Sequence, residues 1–332
     1  MRPRPAAAHA VMAALALSAC IQQPKGDPAL PDGPVAVEAQ AVPFHAGNPD
    51  IGRTGRLAFR GAQALRSDDP RFGGFSALHV SADGRRMIAL SDKGHRLTAR
   101  LVHDADGNLA GIGAARIDAL RDPAGRSVVA TRLHDAESLT VTAAGFAVGF
   151  EGEHRLWLYP DPGRPFALPP RPLPPPPGLA AAHVNRGVEA LARLGDGRLV
   201  ALSEGLGAGP GRLAGWVGGA GGWRSFAWVR HGRYRPAAAV ALSGGGVLVL
   251  ERRFAWLGGF AARLVLVPDA AFDRDEATGS EVGALAPPLV SENFEGLAVR
   301  RGARGETLLY LVSDDNFHPL QKTLLVMLEL TD

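Results

Sequence analysis

Apolar residues in this chain fall into short runs that pair across glycine-bearing turns, and the pairs repeat. Each unit opens on a small or acidic residue, enters an apolar strand, crosses the turn, runs through a second apolar strand and ends on a carboxylate. Five units can be read: Phe75-Ser76-Ala77-Leu78 to Leu90-Ser91-Asp92, Ala136-Glu137-Ser138-Leu139 to Phe150-Glu151, Val188-Glu189-Ala190-Leu191 to Leu202-Ser203-Glu204, Ala239-Val240 to Leu250-Glu251, and Phe294-Glu295-Gly296-Leu297 to Val312-Ser313-Asp314. Their turns, Asp83-Gly84, Ala144-Gly145, Asp196-Gly197, Gly244-Gly245-Gly246 and Ala303-Arg304-Gly305, carry the residues that accept the positive φ of a tight hairpin. The openings at Ser76, Glu137, Glu189, Ala239 and Glu295 are 61, 52, 50 and 56 residues apart, room for a four-stranded sheet each time. Amphipathic helices are absent from the pattern, which argues against the strand-helix alternation of a doubly wound fold. The pattern predicts an all-β chain folded as a β-propeller. Five blades are visible as repeats, and residues 56–65 paired with residues 324–330 complete a sixth by closing the ring with strands from both ends.

Ahead of the repeats the pattern changes. Arg2 and Arg4 precede an apolar run over residues 10–17, far shorter than the roughly 18 residues a spanning helix needs, and the run ends in Leu17-Ser18-Ala19-Cys20. Residues 1–19 read as a secretory signal, and the ending looks like the lipobox of bacterial lipoproteins, in which cleavage exposes the cysteine for a diacylglycerol. Cys20 is the only cysteine. The other reading, a small thiol in a cytosolic protein, loses because signal and cysteine agree in position. Disulfides are excluded either way. Ile21 rather than Asp after the cysteine points to the outer membrane, so the expected location is the periplasm of a Gram-negative bacterium, lipid-anchored. Residues 20–54, rich in Pro, Gly, Gln and Ala without periodicity, are expected to be a flexible tether, and residues 55–332 the propeller domain.

Composition narrows the function. With 332 residues, 46% hydrophobic and 21% charged, the chain suits a single large globular core rather than a fibre or a disordered tail. Its net charge of +3 falls to +1 without Arg2 and Arg4, too little for a general polyanion surface, so nucleic acid is not an expected partner. Residues 160–178 are about half proline and read as an extended surface loop rather than an SH3 ligand. The glycine-rich residues 205–222 have no following helix and no Gly-Lys-Ser/Thr, so a flexible loop is expected rather than a nucleotide loop. The Asp104-Ala105-Asp106-Gly107-Asn108 run lacks the EF-hand's closing glutamate, Ala115 standing in its place, and reads as a hairpin turn. No Gly-X-Ser-X-Gly or His-Glu-X-X-His motif is present.

The chemistry gathers at the strand ends. A hairpin returns the chain to the edge it left, so Glu137 neighbours Glu151, Ser76 neighbours Asp92, Glu189 neighbours Glu204 and Glu295 neighbours Asp314. The radial arrangement of blades brings these edges around one mouth of the central channel. Clustered carboxylates raise one another's pKa unless a cation compensates, which predicts a hard-metal site, with calcium the expected ion, or interleaved bases. Lys93 and Arg96 beside Asp92, Arg186 ahead of Glu189, and Arg252 and Arg253 after Glu251 are the candidate bases. His95, His134 and His318 lie near the same edges.

These motifs resemble a known family. Gly74-Phe75-Ser76-Ala77-Leu78 with Leu90-Ser91-Asp92-Lys93-Gly94, then Asp135-Ala136-Glu137-Ser138-Leu139, Asn185-Arg186-Gly187-Val188-Glu189-Ala190-Leu191, Leu250-Glu251-Arg252 and Ser313-Asp314-Asp315-Asn316-Phe317 resemble the bacterial phytase-like family with esterase-like activity, over about residues 55–330. The resemblance implies an exported propeller that hydrolyses a small ester or phosphoester. Two positions depart from the pattern: Ser138 follows Glu137 where glycine is usual, and Ala239 stands at the fourth blade's acidic position. On this reading Asp92, Glu137, Glu189, Glu295 and Asp314 hold calcium, Glu151, Glu204 or Glu251 is the base, and Arg186, Arg252 and Lys93 hold the anionic group. A noncatalytic propeller lipoprotein that binds a ligand or protein partner at the same mouth, and a lactonase-like metal propeller, are the alternatives.

Overall fold

The middle strands are apolar on both faces, as in Val247-Leu248-Val249-Leu250 and Leu308-Leu309-Tyr310-Leu311-Val312, all nearly or fully buried. A strand buried on both faces belongs to a sheet packed between two others. In the computed structural model, which describes residues 30–131, 133–160 and 163–332, that is the arrangement of five sheets, antiparallel but for a short parallel pairing of Ala227 and Trp228 with Glu276 and Ala277 at the edge of the third. The first blade holds Phe75–Val80, Arg86–Ser91, His95–His103 and Leu109–Ala119. The second holds Ala136–Thr142, Gly145–Phe150, Arg155–Pro160 and the short Arg171–Leu173. The third holds Val188–Arg193, Leu199–Gly207, Arg212–Gly219 and Gly222–Val229, and the fourth Arg235–Ala241, Val247–Ala255, Gly259–Val267 and Ser280–Leu285. The fifth takes Phe294–Arg301, Thr307–Ser313 and Thr323–Leu330 from the C-terminal end and Leu57–Arg66 from the N-terminal end.

Five apolar clusters fill the spaces between neighbouring sheets, including one in which Leu78 and Met87 of the first blade meet Tyr310 and Leu325 of the fifth. That last cluster closes the ring at five blades, not six. The expected pairing of the two chain ends is present, with Leu65 opposite Thr323 and Leu57 opposite Leu330, but it completes the fifth blade. The C-terminal segment supplies only three strands, so the ring needs the N-terminal one to cover the fifth blade's outer edge.

The expected tether also ends earlier than residue 54. From Pro31 the chain belongs to the propeller unit. Gly33–Pro34 pairs with the outer strand of the first blade, Asp32 Oδ1 accepts from the Ala119 N–H, and Glu38–Ala41 extends the fifth blade beside Leu57–Arg66. These are exposed edge strands without apolar alternation, so their sequence carries no period. Within the proline-rich stretch, Arg171–Leu173 forms the second blade's outer edge, where a residue lacking an N–H is tolerated. Trp216 and Trp223 indoles donate to the Pro177 and Pro174 carbonyls and fix that segment. The glycine-rich residues 205–222 are largely strand, paired from Arg212–Gly219 onto both neighbours, rather than a loop. Asp104 caps a hairpin turn, as expected. The signal segment and Cys20 lie outside the described residues, among which no helix is long and apolar enough to cross a membrane.

Candidate functional site

All five innermost strands carry a β-bulge at the same level. Register skips one residue between Phe75 and Ala77, Ala136 and Ser138, Val188 and Ala190, Pro236 and Ala238, and Phe294 and Gly296. The extra residue of a bulge is unpaired and its side chain is re-aimed. The five are Ser76, Glu137, Glu189, Ala237 and Glu295. One residue beyond the pairing partner on the second strand come Asp92, Glu151, Glu204, Arg252 and Asp314. Two tiers therefore line one mouth of the channel, and they carry seven carboxyls and one guanidinium. Below them Leu78, Leu139, Leu191 and Leu297 close the channel, leaving a cavity of about 10 Å³, too small for anything larger than a water.

Asp135, Glu137 and Glu151 each present an oxygen within 4.8 Å of the others. Glu137 shares a hydrogen bond with Asp135, and Glu189 of the third blade with Glu151 of the second. Glu151 also accepts from the Gly187 N–H. Across the ring, Arg252 Nη2 lies 2.8 Å from Glu295 Oε1 and 3.5 Å from Glu204 Oε2, and Asn293 Nδ2 donates to Glu295 Oε1 at 2.8 Å. Asp314 accepts from the Asn316 N–H at 2.6 Å, and Asp92 from Ser91 Oγ at 3.2 Å.

Glu137, Glu151, Glu189, Glu295 and Asp314 are all at most 9% exposed. Burial first, and neighbouring carboxylates second, push Glu137 and Glu189 well above the usual carboxylate range. Burial likewise raises Asp92 and Glu151 to about 7 and Asp314 to about 8. Glu295 is raised by burial too, with Arg252 pulling the other way. For Arg252 burial opposes the charge, but Glu295, Glu204 and Glu189 outweigh it and hold the guanidinium protonated. Two carboxylates about 4.8 Å apart repel by roughly 3–4 kcal/mol at an effective dielectric near 20, so the cluster keeps protons or takes a cation.

The bulge register corrects two expectations. The fourth blade's counterpart of the bulge glutamates is Ala237, not Ala239, which pairs with Val249 further along the strand. Glu251 is not at the mouth. It pairs with Pro236 and so holds the position of Ser91, Ser203 and Ser313, buried between blades. There it accepts from Trp228 Nε1 at 2.9 Å and bonds Arg263 at 2.6 Å, which leaves it no role as a base. Arg252 takes the acidic slot instead. The expected neighbours Glu189 and Glu204 do share the mouth, as do Glu295 and Asp314.

Lys93 stands at the rim, its Nζ 3.0 Å from the centre of the Phe317 ring, in the field of Asp92, Asp315 and Asp314. Arg186 is exposed on the rim, its stem laid over Gly205. Arg96 instead pairs with Asp118 on the blade. His95, pulled down to about 4 by burial, sits by Arg71 and Asp69, and His318 is exposed, its Nδ1 accepting from the Leu320 N–H. His134 Nδ1 meets the Asp92 carbonyl.

Two residues at the mouth were not singled out by the sequence. Asp135 is a non-glycine residue at φ +80°, a strained conformation that presents its carboxyl to Glu137. Its signal was the acid two places ahead of a repeat's acid. His154 contacts the carbonyls of Ala182 and His183 through Nε2, which therefore carries the proton, leaving Nδ1 buried and unpartnered next to Gly187. Two glycines make room for the acids. A Cβ on Gly74, at φ +63°, would fall 2.2 Å from Asp92 Oδ1, and one on Gly187 would meet His154 Nδ1 at 2.5 Å and Glu151 Oε1 at 3.3 Å.

The sequence profile described as "Phytase-like: Esterase-like activity of phytase" matches residues 70–317, which span every element of this mouth. The chain belongs to the phytase-like family. No curated protein sequence matches it. Solved structures are similar at the level of broad outline. The α-L-arabinofuranosidase of Podospora anserina is 11% identical, with 79% of this chain and 93% of that one aligned at a TM-score of 0.43. The PQQ-bound aldose sugar dehydrogenase of Streptomyces coelicolor is 13% identical over 90% and 99%, TM-score 0.40, and the Cps50 (Swd1) β-propeller domain of Myceliophteria thermophila 12% identical over 87% and 99%, TM-score 0.40. These values carry nothing about activity.

The donors of this phytase-like mouth suit a hard cation. Calcium takes six to eight oxygens at about 2.3–2.6 Å, so oxygens no more than 4.8 Å apart are compatible with one shared ion. Asp135, Glu137 and Glu151 meet that condition with Glu189 adjoining, and among the described residues none of the four has a Lys or Arg within salt-bridge distance.

Proposed function

We propose that this chain is an exported hydrolase of small esters or phosphoesters that works at the acidic mouth with calcium. The observation that carries the reading is the mismatch of charge there: seven carboxyls converge, and Arg252 neutralises only the side formed by Glu204 and Glu295. Asp135, Glu137, Glu151 and Glu189 are the residues that would hold the ion, Glu151 moving from the expected role of base to that of ligand. Bound calcium would polarise the ester and lower the pKa of a water. Glu204, half-buried beside Arg252, is the residue assigned as the base that would take a proton from that water. Lys93 and Arg186 on the rim attract and orient an anionic substrate, which favours phosphoesters over neutral acyl esters. Export and anchoring through Cys20 belong to this proposal and follow from the lipobox-like ending of the signal segment.

Hydrolysis of phosphomonoesters, phytate, short acyl esters and lactones by the purified chain, with calcium and then with chelator, tests this reading. Calcium-dependent release of phosphate is the expected result. A folded, calcium-loaded chain that turns over none of them contradicts the enzyme reading and favours a binding propeller. Preference for lactones would move the assignment to a lactonase-like activity.

A further inference from the structure

The ring is close to fivefold in its backbone and not in its chemistry. Every blade has the bulge, yet only the fourth places an alanine, Ala237, at the bulge and an arginine, Arg252, at the tier above, where the other four blades have Asp92, Glu151, Glu204 and Asp314. The guanidinium does not point away from the ring. Its Nη2 bonds Glu295 at 2.8 Å and approaches Glu204 at 3.5 Å, one acid from each flanking blade. Ala237 is fully buried and has no side chain to compete for those donors. On the opposite side, carboxyls meet carboxyls: Glu137 with Asp135, and Glu189 with Glu151.

We infer that Arg252 is a built-in substitute for a metal ion. It occupies the place of charge between Glu204 and Glu295 that a divalent cation would otherwise fill, and it confines exchangeable metal to the side lined by Asp135, Glu137, Glu151 and Glu189. The two differ in kind. An arginine keeps its charge at every working pH and cannot be removed by a chelator, whereas the ion beside it comes and goes. The fourth blade thus converts a ring able to take cations on both sides into a mouth with one fixed and one exchangeable positive centre. This inference rests on the reading of the ring as a calcium site.

Calcium bound per chain, measured by calorimetric titration and by equilibrium dialysis on the full chain, tests it. The double substitution Ala237→Glu with Arg252→Glu restores the acidic pattern of the other blades and is expected to add one calcium per chain. In the unsubstituted chain, Glu189→Gln is expected to weaken calcium binding at least tenfold, whereas Glu204→Gln changes it less than threefold. Should the double variant not fold, Arg252→Gln keeps most of the side chain's volume, frees Glu204 and Glu295, and is likewise expected to gain an ion. Unchanged stoichiometry in the folded variants, with the parent chain still binding calcium, overturns the inference and leaves the calcium reading standing. No calcium bound by the parent chain overturns the calcium reading itself, and the inference with it.

Discussion

One residue of register separates Glu251 from the mouth. Glu151 and Glu251 both close the second strand of a repeat, but Glu151 lies one place beyond the paired residue Phe150, whereas Glu251 is itself paired, with Pro236. The sequence held the distinction: Leu90-Ser91-Asp92, Leu202-Ser203-Glu204 and Val312-Ser313-Asp314 align Leu250-Glu251-Arg252 with arginine, not glutamate, in the acidic slot. Charge alone hid it. Glu251→Gln is expected to destabilise the fold by about 2–3 kcal/mol in a denaturant melt, because it weakens the pair of fully buried Glu251 with partly buried Arg263 while Glu281 still holds that arginine. Calcium affinity should be unaffected. Glu137→Gln acts the other way: at pH 8 without metal it relieves like-charge repulsion and should raise the melting temperature, while calcium affinity drops at least tenfold by calorimetry. Gly74→Ala has no room at φ +63° against Asp92 and is expected to cost about 1–3 kcal/mol and to displace that carboxylate.

At the scale of elements, the first hairpin of each blade was legible and the outer strands were not. The inner hairpins repeat because each must turn tightly on a glycine and deliver a side chain to the same ring. The outer strands answer only to the local packing of their own blade. Hence the sequence presents the strands at the two chain ends as a blade of their own, although Leu57–Arg66 and Thr323–Leu330 are two strands of the fifth. Hence also Glu38–Ala41, exposed along its length, has the sequence of a tether. The bulge was invisible for another reason: it adds one residue without changing the apolar pattern on either side. Removing residues 31–41 strips edge strands and the partly buried Val35 and Val37 from the margin of one cluster, and should leave a cooperative unfolding transition at lower temperature. Removing Leu57–Arg66 opens the ring, takes Leu57 and Ala62 out of the core, and should abolish that transition.

For the molecule as a whole, the acidic mouth sets how stability depends on pH. Asp92 and Glu151, at about 7, and Asp314, at about 8, hold protons more tightly folded than unfolded. Their contribution to stability is complete below the ordinary carboxylate pKa near 4 and is lost as pH rises through 7 to 8. His79 and His95, lowered by burial to about 4, work oppositely: their contribution is complete above about 6.5 and is lost as pH falls toward 4. Between pH 6.5 and 8 these acids lose their contribution while that of His79 and His95 is already complete, so the metal-free chain should melt at lower temperature at pH 8 than at pH 6.5. Calcium favours the ionised carboxylates, so its stabilising shift in scanning calorimetry should be larger at pH 8.

The most direct measurement is the rate of phosphomonoester hydrolysis against calcium concentration, for the parent chain and for Glu137→Gln, with melting curves taken on the same samples. The account predicts a rate that rises with calcium and saturates in the parent chain, and is lost in a variant that remains folded. Equal rates in both, or a rate indifferent to chelator, would place the chemistry somewhere other than the acidic mouth.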